Sequence, residues 1–283
     1  MKNKAENTYE FLCHMPRVDF YRKNLHYLPA VYYGQEHPRQ YMECFYKDGC
    51  EKMPVVIWIH GGAWDDEFLT ASYRPEPVLA ELAEKGYFIA CLEYRLARHK
   101  ALPSCIEDCQ SAIEYLRENA DRYHIDSQKI GLWGESAGAH IACMAGSNYN
   151  NKKITLVQGI VAFYCPSDLE KMLEKQNGEL GFLVNVLPGY QLSEEEQKKV
   201  LEKMSPVHYA DKSSVPPILL FHGDQDNVVD YRQSCEYKTK LEKAGNDVEL
   251  VIVPGQGHGF FCGRRYYDKV IEFFEKKVSE KQD

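Results

Sequence analysis

Short apolar runs alternate with amphipathic stretches along most of the chain. The runs predict strands, and several are continuously apolar, which is typical of strands covered on both faces. The predicted strands span residues 41–46, 55–59, 87–93, 130–133, 157–163, 218–221 and 248–253. Because helical patterns separate them, the chain is predicted to form an α/β fold with a mostly parallel central sheet flanked by helices.

Two stretches repeat apolar side chains at three- and four-residue spacing, which is the period of one helix face. These side chains are Ile106, Cys109, Ile113 and Leu116 in the first stretch, and Tyr267, Val270, Phe274 and Val278 near the end of the chain. The first stretch predicts a helix over 105–119. Both helices are expected to pack their apolar face on the sheet.

The alternation stops over residues 167–211. A Gly- and Leu-rich stretch, 178–190, is followed there by a charged stretch, 193–203, that predicts a helix. An insertion of this length between strands is too long for an ordinary connection and predicts a small cap or lid, although it would also serve merely to cover a hydrophobic edge. We therefore expect an aromatic-rich N-terminal cover segment, 1–40, and one α/β domain, 41–283, that carries the insertion.

Length and charge exclude several classes of protein. The chain has 283 residues and a formal net charge of −8, with 34 Lys and Arg against 42 Asp and Glu. A chain this long buries a large core without needing disulfide bonds. Its excess of acidic side chains argues against nucleic acid as a partner. With neither an apolar signal region nor an apolar run of membrane-spanning length, we expect no membrane span and a cytoplasmic location.

The cysteines indicate neither a metal site nor a redox pair. There are ten of them, and none shows the paired CxxC spacing that such sites use. Reduced thiols in a cytosol, acting mostly as small core residues, fit this pattern best. No metal and no organic cofactor is therefore predicted.

The most specific motif is GESAG at residues 134–138, directly after the predicted strand 130–133 and before a helical run. In a strand-to-helix elbow, a serine occupies a tight turn, and glycines two positions away on either side avoid collisions with the neighbouring strand and helix. The motif predicts Ser136 as a nucleophile. The amide groups at the start of the helix, beginning with Ala137, would point at an oxyanion formed there.

A second glycine motif, HGGAW at residues 60–64, follows the predicted strand 55–59. Small residues after a strand allow backbone N–H groups to turn toward a substrate oxygen. Gly62 and Ala63, together with Ala137, are therefore predicted to donate to an oxyanion. Glycine loops also bind phosphates, but neither GxxxxGK[ST] nor GxGxxG occurs in the chain, which argues against a nucleotide site.

A serine nucleophile needs a base, and the base needs a carboxylate that orients it. In elbow-type sites these residues follow the serine in the order acid, then histidine. His258, in a glycine-flanked loop after the last predicted strand, is the sole candidate base in that position. For the acid, Asp224, Asp226 and Asp230 all follow the strand 218–221, and spacing alone does not separate them.

At this point the chain resembles the α/β-hydrolase-fold carboxylesterases, and it is similar to the hormone-sensitive-lipase-like and BD-FAE-like esterases. The resemblance covers about residues 40–275, and its motifs occur in family order. They are HGGAW (60–64), EYRLA (93–97), a helix start from Pro103 to Asp108, KIGLWGESAGAHIA (129–142), SPVHY (205–209), HGDQDNVV (222–229) and GQGHGF (256–260).

The resemblance implies a role for each matching residue. It implies Ser136 as nucleophile, Asp226 as acid and His258 as base, with the backbone N–H groups of Gly62, Ala63 and Ala137 as the oxyanion hole. It also implies that the domain over 41–283 hydrolyses small-molecule carboxylic esters, with short, acetyl-type acyl groups favoured, through an acyl-enzyme and without a cofactor.

Two alternatives stay open. One is an amide-cleaving relative, either an aryl formamidase or a prolyl-oligopeptidase-like peptidase, and the remote one is a non-catalytic binding protein on the same scaffold. The sequence does not identify the physiological ester, the role of the insertion or the oligomeric state.

Overall fold

A computed structural model describes residues 23–147, 149–150, 156–175, 193–211, 215–260 and 263–280. Two predicted features fall partly or wholly outside these ranges. They are the start of the N-terminal cover segment, residues 1–22, and the Gly- and Leu-rich stretch 178–190 of the insertion.

The described residues contain eight strands that form one sheet. The strands are β1 (Leu25–Tyr32), β2 (Tyr41–Lys47), β3 (Met53–Ile59), β4 (Phe88–Leu92), β5 (Ile125–Glu135), β6 (Gly159–Phe163), β7 (Ile218–Gly223) and β8 (Val248–Val253). Their order is β1-β2-β4-β3-β5-β6-β7-β8. Strand β2 pairs antiparallel with β1 and β4, and the remaining pairs are parallel. The predicted, mostly parallel sheet is therefore confirmed.

Helices flank this sheet. They are α1 (Glu76–Glu84), α2 (Ser104–Glu118), α3 (Ala120–Tyr123), α4 (Ala137–Gly146), α5 (Leu169–Lys175), α6 (Glu194–Lys203), α7 (Arg232–Lys243) and α8 (Arg264–Phe274), with a 3-10 turn at Pro206–Tyr209 and a π turn at Glu275–Ser279. Both helices predicted from apolar spacing are present, as α2 and α8. The four apolar residues of α2 are buried, whereas at the end of the chain Tyr267 is only partly buried.

The continuous apolar run of β3 reflects its two covered faces. Val55, Ile57 and Ile59 belong to the core that contains the buried residues of α2 and α4. Val56 and Trp58 point the other way, into the core that contains those of α1 and α8. Because strand side chains alternate between faces, a strand with helices on both sides must be apolar at every position.

Strand β1 is a difference from the sequence-based strands, which began at residue 41. It lies at the edge of the sheet, and of its eight residues Leu25 and Val31 are buried, so it lacks an alternating apolar signal. It also contains Pro29, which is tolerated on an edge strand. Part of the predicted cover segment thus completes the sheet.

The described parts of the insertion are helical. Helix α6 agrees with the helix predicted over 193–203 and begins with a capping box, in which the side chains of Ser193 and Glu196 each bond the other residue's backbone N–H. Further along, the Ser205 hydroxyl donates to Leu201 O and accepts from the backbone N–H of Leu169. These bonds connect the two described pieces of the insertion. Among the described residues, no helix combines the length and apolar character that a bilayer span requires.

Candidate active site

The candidate nucleophile Ser136 sits in a strained turn between β5 and α4. Its backbone has φ 51° and ψ −119°, a conformation that non-glycine residues seldom adopt. A Cβ on Gly138 would lie 2.1 Å from Ile59 O, and one on Gly134 would lie 2.3 Å from Gly138 O. Only glycine fits at either position, which explains the spacing of the GESAG motif.

Ser136, His258 and Asp226 are joined by hydrogen bonds at the carboxyl edge of the parallel strands. The Nε2 atom of His258 lies 2.9 Å from Ser136 Oγ, and its Nδ1 lies 2.7 Å from Asp226 Oδ2. Because the carboxylate accepts, Nδ1 carries a proton and Nε2 is left to accept the serine hydroxyl proton. The His258 side chain is 18% exposed whereas that of Asp226 is fully buried, so solvent reaches the base and not the acid.

Asp226 is held by donors on both carboxylate oxygens. Its Oδ1 accepts the backbone N–H groups of Val228 and Val229, both at 2.9 Å, while Oδ2 faces His258 and also His222 Nε2 at 3.1 Å. Burial raises the pKa of the Asp226 carboxyl, but hydrogen bonds from His222 and His258 outweigh that effect and hold the pKa well below its usual range. The group is therefore a carboxylate at neutral pH.

The other two aspartates of this loop bond elsewhere. Asp224 Oδ1 accepts the backbone N–H of Gly255, and Asp230 forms a two-pronged ion pair with Arg232. Of the three candidates that spacing left open, the structure brings Asp226 to His258.

The HGGAW loop lies against the elbow. A Cβ on Gly61 would be 3.3 Å from Ser136 Cβ. Gly62, Ala63 and Trp64 follow with φ values of 110°, 47° and 61°, so three consecutive residues have left-handed backbone. This conformation turns the chain sharply after β3. The predicted donors Gly62 and Ala63 therefore lie in the loop beside the elbow, and Ala137 is the first residue of α4.

A buried network of hydrogen bonds holds the start of this loop. His60 Nε2 lies 3.2 Å from Glu93 Oε1, and Glu93 Oε2 accepts the backbone N–H of Ala71. Arg39 also bonds Glu93. Burial raises the pKa of the Glu93 carboxyl, but the contacts with His60 and Arg39 have the larger effect. The pKa of Glu93 is therefore lowered. Glu93, the first residue of the EYRLA segment, thus supports the loop through His60 and Ala71.

Two residues near the elbow carry no predicted role. Burial raises the pKa of Glu135, which precedes the nucleophile, to about 7 against the opposing effect of a hydrogen bond with Tyr164. The Tyr164 ring lies 4.7 Å from the His258 ring, centroid to centroid. A titratable carboxyl group therefore adjoins the candidate nucleophile.

His140 is a further buried residue for which the sequence predicts no role. Its Nδ1 lies 3.1 Å from Trp64 Nε1 and its Nε2 lies 2.6 Å from Met204 O. Its position four residues after Ser136, on a helix with an otherwise small and apolar sequence, is the signal that would have marked it. In the described part of the chain, no cluster of three His, Cys, Asp or Glu side chains is arranged to hold a metal ion.

Sequence comparison connects this geometry with known proteins. A model of the BD-FAE family matches residues 44–241. Esterase LipC of Mycobacterium tuberculosis is 28% identical over 243 residues, covering 81% of this chain and 59% of that protein. Isoprenylcysteine alpha-carbonyl methylesterase ICME of Arabidopsis thaliana is 27% identical over 244 residues, covering 81% and 56%. The chain thus spans just over half the length of these curated relatives.

Solved structures match the fold. A truncated carbohydrate esterase from gut microbiota superposes with a TM-score of 0.77 at 24% identity, covering 90% of this chain and 97% of that one. A bacterial heroin esterase gives 0.77 at 21% identity, covering 97% and 90%. Since the family model matches most of the chain and the structural likeness supports the fold, the chain belongs to the BD-FAE family and has the α/β-hydrolase fold.

Proposed function

We propose that the protein is a serine hydrolase that cleaves carboxylic esters through Ser136, His258 and Asp226. The observation that carries the proposal is the pair of hydrogen bonds that join His258 to Ser136 Oγ at 2.9 Å and to Asp226 Oδ2 at 2.7 Å. This chain of nucleophile, base and carboxylate is the arrangement that activates a serine hydroxyl at neutral pH. Esterase names among the relatives support the same reaction class.

In the first step Ser136 Oγ attacks the ester carbonyl carbon while His258 Nε2 takes the hydroxyl proton. Asp226 keeps the other ring proton on Nδ1 and stabilises the imidazolium that forms. The carbonyl oxygen becomes an oxyanion, which the backbone N–H groups of Gly62, Ala63 and Ala137 stabilise. Collapse of this intermediate breaks the ester C–O bond, and His258 returns the proton to the departing alcohol.

In the second step a water molecule attacks the acyl-enzyme. His258 takes a proton from the water, a second oxyanion forms in the same hole, and collapse breaks the bond to Ser136 Oγ. The serine recovers its proton from His258, and the carboxylic acid leaves. Each step returns the site to its starting protonation, so no cofactor enters the balance.

We propose small-molecule esters with short, acetyl-type acyl groups as the substrate class, following the family resemblance. The insertion over 167–211 is proposed as the cap of the site. It starts shortly after β6, and the β6 end is joined to the elbow because the backbone N–H of Ser136 donates to Phe163 O at 3.0 Å. The cap thus begins at the strand next to the nucleophile.

The test is hydrolysis of p-nitrophenyl acetate by the wild type and by Ser136→Ala. Ser136→Ala should lower kcat by about 10⁴-fold or more, with an unchanged melting temperature. A fluorophosphonate should label the wild type at Ser136 and leave the variant unlabelled. Near-wild-type turnover by the variant would exclude Ser136 as the nucleophile, and absence of both labelling and turnover in the wild type would indicate a non-catalytic protein.

Substrate choice is tested in the same assay. A series of p-nitrophenyl esters of increasing acyl length should show the highest kcat/KM for acetate. N-formylkynurenine and aminoacyl-p-nitroanilides should be turned over more slowly. Faster cleavage of either amide than of every ester would replace the esterase proposal with the aryl formamidase or peptidase alternative.

A further inference from the structure

Three parts of the fold meet at the imidazole of His140. The residue lies on α4, the helix that starts directly after Ser136, and it is fully buried. One ring nitrogen faces Trp64 in the HGGAW loop, and the other faces Met204 at the end of α6 in the insertion. A single buried side chain on the elbow helix thus contacts both the insertion and the HGGAW loop, residues 60–64, which we call the oxyanion loop because it carries the predicted donors Gly62 and Ala63.

The partners fix the protonation of this imidazole. Met204 O only accepts, so Nε2 carries the proton and donates over 2.6 Å. The Trp64 indole N–H only donates, so Nδ1 must be the bare, accepting nitrogen at 3.1 Å. Burial lowers the pKa of His140 to about 4, against the smaller opposing effect of the bond to Met204 O, and this keeps the ring neutral at pH 7. Both nitrogens are then satisfied.

The hydrogen bond from Trp64 to His140 affects the position of the loop because the loop backbone is strained. Ala63 and Trp64 are both non-glycine residues with positive φ, and such conformations persist only when surrounding contacts hold them. Trp64 is almost fully buried, its ring meets the His140 ring edge to face at 5.2 Å, and its carbonyl accepts the backbone N–H of Ala97 at 2.9 Å. Trp64 is thus fixed immediately after the predicted donor Ala63.

The Met204 bond extends the connection to the insertion. Met204 is the C-terminal cap of α6, and its carbonyl belongs to the helix end where carbonyl groups lack a partner within the helix. The next residue, Ser205, anchors Leu169 on the other described piece of the insertion. A displacement of this region would therefore act on the imidazole that holds Trp64.

We propose that His140 is a positioning residue of the oxyanion loop, which it holds through Trp64 and couples to the insertion through Met204. The inference rests on the proposed function, because the loop position matters for rate only if Gly62 and Ala63 stabilise an oxyanion. His140 touches no reacting atom. It acts by fixing where the donors of the loop lie.

Two substitutions separate the two bonds. An Asn side chain places an amide near the position of Nδ1, so His140→Asn keeps an acceptor for Trp64 and loses the donor to Met204. His140→Gln reaches the position of Nε2, so it keeps the donor and loses the acceptor. Both are fully buried changes that lower stability. Rates are therefore measured well below each melting temperature and normalised to the fraction of Ser136 that a fluorophosphonate labels.

His140→Gln should lower kcat for p-nitrophenyl acetate by about 10–100-fold, the scale for a small misplacement of catalytic groups, with little change in KM. It should weaken inhibition by a trifluoromethyl ketone, which forms an oxyanion on Ser136, by a similar factor. His140→Asn should retain more of the wild-type kcat and more of the affinity for the ketone than His140→Gln does. Its signature should instead be faster amide hydrogen exchange over residues 204–209 than His140→Gln shows.

Trp64→Phe removes the same N–H donor and should resemble His140→Gln, with the double variant no slower than the worse single one. Additive losses, equal kcat for the Asn and Gln variants, or an unchanged ketone affinity in His140→Gln would overturn the inference. Ser136→Ala separates the two proposals. If it is inactive while His140→Gln keeps full kcat, only the positioning role fails, and if it retains wild-type turnover, the proposed function fails as well.

Discussion

His222 Nε2 lies 3.1 Å from Oδ2 of Asp226, the same oxygen that His258 binds. The same nitrogen lies 3.1 Å from Val229 O, so two acceptors face it and it carries the proton. The other ring nitrogen forms a hydrogen bond of 2.7 Å with the Ser234 hydroxyl. His222 is therefore a donor that helps fix the Asp226 carboxylate beneath the proposed base.

His222→Asn should destabilise the fold and slow turnover. It retains a group near the Ser234 hydroxyl but withdraws the donor from a buried carboxylate, which costs about 1.5–3 kcal/mol of unfolding free energy. Ser234→Ala removes only a neutral hydrogen bond and should cost about 1 kcal/mol. Urea unfolding measures the stability of both variants, and the p-nitrophenyl acetate assay measures turnover. Equal losses of unfolding free energy in the two variants would argue that His222 does not act through Asp226.

Asp226→Asn should lower kcat by about 10⁴-fold, because the amide favours the wrong imidazole tautomer. Asp224→Asn and Asp230→Asn are matched controls in the same loop. Their partners are Gly255 and Arg232, not His258, so kcat should stay close to that of the wild type. A comparable loss in either control would show that the acid has been assigned to the wrong aspartate.

Glu135→Gln should change how stability depends on pH. The folded protein holds the Glu135 proton up to a pKa of about 7, whereas the unfolded chain releases it near 4.5. The stabilisation that Glu135 gains by keeping its proton in the folded state is therefore complete below pH 4.5, and it is lost as the pH rises to 7. The melting temperature of the Gln variant relative to wild type should therefore increase from pH 4.5 to 7 and then level off. A difference that stays constant across this range would contradict the raised pKa.

Asp108→Asn should be strongly destabilising. The buried Asp108 carboxylate accepts from the backbone, Nε and Nη2 N–H groups of Arg95 and from Gln40, and removing its charge leaves the guanidinium paired with the exposed carboxylate of Glu36 in place of a buried one. Breaking such a buried pair costs about 3–5 kcal/mol of unfolding free energy. Lys199→Ala breaks the exposed pair with Glu195 and should cost less than about 0.5 kcal/mol. Chemical denaturation of the two variants side by side measures the contrast.

The elements that the sequence predicts well are those whose surroundings leave a pattern in their own residues. Strand β3 is apolar throughout because both of its faces are covered, and the glycines of the elbow are required by contacts within a few residues and with Ile59. Strand β1 gives no such signal, since its edge position leaves most of its side chains exposed. Its pairing with β2 is set by the rest of the sheet.

The site divides in the same way. Order along the chain isolates Ser136 and His258, but the choice among three aspartates depends on how one loop folds back, which spacing does not encode. His140 is harder still. Its place on an apolar helix could have marked it as buried, but its partners Trp64 and Met204 are 76 and 64 residues away, so the sequence does not show which segments it joins.

Ser136 and His258 are 122 residues apart, and His258 follows β8, the last strand along the described chain. During synthesis, the elbow and most of the sheet therefore emerge well before the proposed base. Such long-range closure is the slow part of folding. Recovered turnover in a refolding experiment requires the segment after β8 to reach the elbow, a contact that far-ultraviolet dichroism, which follows total helix and strand content, does not measure.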